Sequence, residues 1–127
     1  MIKTLSLVAL GGALGAALRF LWGVSVYRLT GGPGEFPVAI IGANVLGSFL
    51  MGAFVVLAAH KGLTHLSPFV MTGLLGGFTT FSAFSLETVT LMERGAFGPA
   101  ALYVLLSVGL SVAGLMAGLA VMRGLVL

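Results

Sequence analysis

The stretch G-L-L-G-G-F-T-T-F-S-A-F-S, from Gly73 to Ser85, lies inside a run without charge that extends from Leu66 to Leu86. Such a run is long enough to cross a bilayer, which takes about 20 mostly apolar residues. Its middle does not suit an uninterrupted helix in lipid. Gly76 and Gly77 weaken the helical backbone, and Thr79, Thr80, Ser82 and Ser85 offer it rival hydrogen bonds. Irregular backbone at membrane depth is tolerated only where it is buried in protein or lines a cavity. The stretch therefore predicts a membrane helix broken near the midplane, at a site. Transport proteins use such breaks to hold ions with freed backbone groups.

The composition agrees with a lipid solvent. Of the 127 residues, 59% are hydrophobic and 7% charged, and the mean hydropathy is +1.20. This excludes a separate water-soluble domain and leaves room for about four spans. The expected architecture is all-α, a single four-helix transmembrane domain over residues 1–127 with spans at about 4–27, 36–59, 67–92 and 98–122. The net charge of +3 comes from basic residues scattered at span ends, so a nucleic-acid partner is not expected. There is no cysteine, hence no disulfide and no thiol chemistry. Lys3 followed by an apolar run resembles a signal peptide, but three further spans leave nothing soluble to secrete.

In the first span, Gly11 and Gly15 lie four apart, on one face with Arg19, and allow close helix approach. Arg19 sits roughly 20 Å along the helix from Leu5. It has two readings: a side chain reaching for the nearer interface, or an intramembrane cation placed to attract an anion or fix a packing partner. A glycine-rich turn is expected from Thr30 to Glu35. In the second span Asn44 is the one strongly polar residue, one turn before Ser48. Taken alone, Asn44 reads as an interhelical hydrogen bond. His60, Lys61 and His65 mark the next loop, and two histidines there make a poor metal site. Phe81 and Phe84 share a helical face, which by itself signals ordinary packing. Glu87 is read as interfacial, since Glu93 and Arg94 soon mark the exit. In the fourth span Tyr103, Ser107 and Ser111 fall at i, i+4 and i+8 and form one polar stripe.

Four spans place both termini on one side, with Lys3, Lys61 and Arg123; Arg28 and Arg94 lie on the other, with Arg19 nearest to it. The positive-inside bias is close to zero. A chain without that bias can insert both ways, and an antiparallel homodimer is expected, mimicking the inverted repeats of larger transporters.

These residues resemble the Fluc-type (CrcB) fluoride channels of microorganisms over essentially the whole chain. The matching pieces are G-G-A-L-G-A-A-L-R-F at Gly11 to Phe20, N-V-L-G-S-F-L-M-G at Asn44 to Gly52, and G-G-F-T-T-F-S-A-F-S at Gly76 to Ser85. E-R-G at Glu93 to Gly95 and Tyr103 complete the set. The resemblance implies a dual-topology, antiparallel dimer in the cell (inner) membrane. It implies passive, selective fluoride export through two pores per dimer. Asn44, Phe81 and Phe84 would line the pores together with the Tyr103, Ser107 and Ser111 track; Thr80, Ser82 and Ser85 would add hydroxyls. Arg19 would sit by the aqueous vestibule. A structural sodium ion would be held on the dimer axis by the main-chain carbonyls of Gly76 and Thr79 from each subunit. The chain departs from the family at Ala83, where a threonine is common, and in lacking a threonine within Ala39 to Ala43.

Small multidrug antiporters share the four-span size and dual topology, but they need a glutamate in the first span, where this chain has Arg19 and no acid. A purely structural subunit would explain the glycines but leave the threonine and serine break and the Tyr103 stripe without a purpose. An enzyme is least expected, because no embedded His, Cys or carboxylate pair is present to do acid–base or nucleophilic work.

Overall fold

The structure, a computed structural model, describes residues 1–32, 34 and 36–127. Pro33 and Glu35, which belong to the turn expected from Thr30 to Glu35, lie outside the described residues. Four helical segments are long and apolar enough to cross a membrane: Ile2–Thr30, Val38–Lys61, Thr64–Glu93 and Phe97–Val126. The first, second and fourth are unbroken helices, α1 (Ile2–Thr30), α2 (Val38–Lys61) and α5 (Phe97–Val126). α1 and α2 overrun the apolar stretches at their C-terminal ends because glycines stop them cleanly. Gly31 (φ 85°) and Gly62 (φ 69°) adopt the left-handed conformation and return their N–H groups to the Tyr27 and Ala58 carbonyls. As a result His60 lies in the last turn of α2 and His65 in a short 3-10 turn, Thr64–Leu66, rather than both in an open loop.

The third segment is built from pieces. After the 3-10 turn comes a π-helical segment, Pro68–Leu75, in which the Gly76 N–H reaches back five residues to the Met71 carbonyl. One α turn follows, α3 (Gly76–Phe78). The chain is extended at Thr79 (φ −86°, ψ 159°), and helix resumes as α4 (Ser82–Glu93). The break thus falls at residues 79–81, in the middle of the segment. No proline causes it, since Pro68 lies at the start of the segment and the next is Pro99.

Two close helix pairs make up the subunit: α1 packs chiefly on the π-helical segment, and α2 on α5. Both pairs depend on small residues that bring backbones together. A Cβ at Gly11 would meet the Phe69 carbonyl and lie 2.8 Å from the Leu74 nitrogen; one at Gly77 would lie 2.8 Å from the Gly12 carbonyl oxygen. Across the other pair, Gly52 faces the Leu115 carbonyl and Gly118 the Phe49 carbonyl. Trp22 ties the pairs together. Its indole N–H donates to the Ala39 carbonyl at 2.9 Å, and its ring meets Phe78 edge-on at 6.2 Å. Much of the remaining apolar surface is exposed on the single chain, as lipid or a second subunit would require.

Candidate functional site

The break and the α2–α5 pair enclose a groove of about 320 Å³. From α2 it takes Asn44, Gly47, Ser48 and Met51; from the break, Thr79 and Thr80 with Phe81 and Phe84; from α5, Ser107 and Ser111. Residues singled out on three separate spans therefore converge on one side of the subunit.

Asn44 anchors the break. Its Oδ1 accepts the Thr80 N–H at 2.7 Å, and its Nδ2 donates to the Thr80 carbonyl at 2.9 Å. This two-point pairing gives the interrupted backbone the partners that a helix would otherwise supply. Nδ2 carries two N–H bonds, so the second is left for the groove. Beside it, the Thr80 hydroxyl oxygen accepts the Ala83 N–H at 3.1 Å, capping the start of α4. The Ser82 Oγ lies 3.3 Å from the same oxygen.

These bonds have a direct consequence for two carbonyls. In a continuous helix the Thr80 N–H would bond the Gly76 carbonyl, and the Ala83 N–H would bond the Thr79 carbonyl. Both donors are taken by side chains instead. The Gly76 and Thr79 carbonyl oxygens are thereby freed from the ladder, which fits a hard cation held by backbone oxygen. Among the described residues no group of three His, Cys, Asp or Glu side chains could hold a metal ion.

The aromatic residues form a ladder. The Phe81 and Phe84 rings are 5.3 Å apart and tilted at 47°. Phe84 lies 5.4 Å from Tyr103, and Tyr103 meets Phe36 edge-on at 5.7 Å. The two phenylalanines differ in setting: Phe84 is 9% exposed, whereas Phe81 is 76% exposed on the single chain. Tyr103 is fully buried, and Ser107 is buried below it. Among the described residues neither hydroxyl meets the geometry of a hydrogen bond, although the Ser107 side chain, one turn away on α5, stands within interaction range of Tyr103. A buried hydroxyl left unpaired costs about 1–3 kcal/mol; of the two residues, Ser107 borders the groove, while Tyr103 packs behind the Phe84 ring.

The other singled-out residues fall elsewhere. Ser85 returns its hydroxyl to the Phe81 carbonyl at 3.0 Å. Ser82 is exposed beside Thr80, and Arg19 is half-buried on α1; neither contributes to the lining of the groove. Two residues emerge that the sequence did not assign to the site, although Gly47, with Gly42 and Gly52, reads as slimming the second span. Phe36 completes the ladder, but only the tertiary fold brings it to Tyr103. Gly47 lies under the break, where a Cβ would collide with the Thr79 γ-methyl. Gly47→Ala is therefore expected to destabilise the protein by about 1–3 kcal/mol through overpacking. Adding Thr79→Ser, which deletes that methyl, is expected to restore most of the loss. Thermal unfolding of the two single variants and the double variant measures this coupling.

The sequence model of the family described as CrcB-like protein, Camphor Resistance (CrcB), matches residues 6–119. Three relatives named "Fluoride-specific ion channel FluC" are similar along nearly their whole length. The protein of Roseobacter denitrificans is 75% identical over 99% of this chain and 100% of its own. That of Ruegeria sp. is 68% identical over 98% of each. That of Agrobacterium fabrum is 47% identical over 95% of this chain and 97% of its own. With its four membrane-spanning segments the chain is a multi-pass membrane protein, and it belongs to the CrcB family.

Proposed function

We propose that the chain is a fluoride-selective channel that lets fluoride leave the cell passively, working as an antiparallel homodimer with two pores and a structural sodium ion between the subunits. The observation that carries this reading is the convergence of Asn44, Phe81, Phe84, Ser107 and Ser111 on one groove at the break, with Tyr103 packed against the Phe84 ring. The names of the relatives supply the identity of the ion.

Fluoride is small and strongly hydrated, so a pore must replace its water contacts. Hydroxyls and the second Asn44 N–H can donate to it. The phenyl rings carry a positive edge. An anion passing the edges of Phe81 and Phe84 is drawn weakly, without capture, which is the balance that conduction needs. Among the described residues no carboxylate lines the groove to repel it. The exposed Phe81 ring and the open side of the groove support a second subunit that closes the path. The near-equal distribution of cations between the two ends supports the antiparallel arrangement. A sodium ion on the freed Gly76 and Thr79 carbonyls would supply fixed positive charge and join the two breaks.

Anion efflux from liposomes loaded with both salts tests the function. Fluoride and chloride electrodes are read in parallel, with valinomycin to carry the balancing potassium. The expected result is rapid fluoride release without chloride release. Release of neither ion from folded protein would refute the channel reading, and equal release of both would refute its selectivity.

A further inference from the structure

We propose that Asn44 and the Thr80 hydroxyl are positioning residues for the Gly76 and Thr79 carbonyls, so that Asn44 joins the anion groove to the cation site. This rests on the sodium reading given under Proposed function and goes beyond it by assigning which side chains create the site.

The break has no proline to force it. What opposes an ordinary helix at Thr80 and Ala83 is two hydrogen bonds from side chains. The Asn44 Oδ1 holds the Thr80 N–H at 2.7 Å, and the Thr80 Oγ1 holds the Ala83 N–H at 3.1 Å. Without the first, the Thr80 N–H is free to close on the Gly76 carbonyl. Without the second, the Ala83 N–H is free to close on the Thr79 carbonyl. Each bond thus keeps one carbonyl oxygen out of the helical ladder, and the two candidate ligands are released by two separate side chains. Asn44 also grips the Thr80 carbonyl, which fixes the peptide between the two released oxygens and their cap. The same carboxamide lines the groove, so the side chain that releases the Gly76 carbonyl also borders the proposed anion path.

Groups that orient metal ligands typically change metal affinity by 10–100-fold when removed. The experiment is thermal unfolding of the purified protein in a titration of sodium chloride against N-methyl-D-glucamine chloride at constant ionic strength. In the wild type, sodium is expected to raise the unfolding temperature to a plateau. In Asn44→Ala, and independently in Thr80→Val, the half-saturating sodium concentration is expected to rise at least about tenfold. Thr80→Ser keeps the capping oxygen and is expected to behave as the wild type. That rescue separates positioning from general loss of packing, and Thr80→Val carries the test if Asn44→Ala does not fold. Unchanged half-saturation in a folded variant would overturn the inference while leaving the sodium reading intact. Absence of any sodium effect on the wild type would overturn the sodium reading and this inference with it.

Discussion

Phe84→Ile is expected to lower fluoride flux on the order of 100-fold, equivalent to about 2.7 kcal/mol on the barrier, while the protein still assembles. Isoleucine keeps a large apolar side chain against Tyr103, so packing is only partly lost. It removes the ring edge, and with it the partial positive charge that an anion meets in the groove. Phe81→Ile is expected to reduce flux as well, with a smaller change in unfolding temperature. The reason is exposure: Phe81 is 76% exposed on the single chain and Phe84 only 9%, so truncating Phe81 removes less buried contact within a subunit. Efflux from liposomes with a fluoride electrode gives the rates, and size-exclusion chromatography checks assembly. Flux at the wild-type level in both variants would rule out the ring-edge account and leave the hydroxyls and Asn44 to carry the ion.

Gly15→Leu is expected to abolish recovery of folded protein. Gly15 is buried on the face of α1 that meets the third segment. Even a Cβ there would run into the Leu74 carbonyl and lie 2.9 Å from the Phe78 nitrogen. Those atoms belong to backbone just before the break and cannot rotate aside. Overpacking of this kind typically costs about 1–3 kcal/mol for added methylenes, and a full leucine side chain against fixed backbone exceeds that. α1 would be driven off the π-helical segment, and the break would lose its support. Gly109→Ala is the contrast. Among the described residues nothing beyond the helix's own neighbouring backbone lies within 4 Å of a Cβ at Gly109, and an alanine within a helix is favoured over glycine by about 1 kcal/mol. The yield of monodisperse protein and its unfolding temperature report both variants. Normal folding of Gly15→Leu would mean that the α1 interface is far looser than its backbone contacts indicate.

Some of the site was legible before any helix was placed. The break announced itself because paired glycines and adjacent hydroxyls conflict with a run long enough to span a bilayer. The stripe of Tyr103, Ser107 and Ser111 followed from helical periodicity; two of its members line the groove, and Tyr103 instead packs against the Phe84 ring. Gly11 and Gly15 pointed to a close helix contact, and they form one. Asn44, taken alone, read as an interhelical hydrogen bond; it bonds the break across from α2 and also lines the groove. By contrast, Ser85 satisfies its own helix, a local outcome that spacing alone does not distinguish from a hydroxyl facing a path.

Membrane residence, four spans and the place of the break were determined by the sequence itself, because they depend on local quantities: apolar length, charge placement and backbone propensity within one segment. Which groups meet was decided only by the tertiary structure. Asn44 and Thr80 are 36 positions apart, Phe36 and Tyr103 sit at opposite ends of the chain's middle, and Gly47 comes to rest under the Thr79 methyl. Those meetings depend on the register and crossing of helices whose backbones touch at glycines. A shift of one residue along any of them would move a donor out of hydrogen-bond range, and periodicity within a single helix does not encode that register.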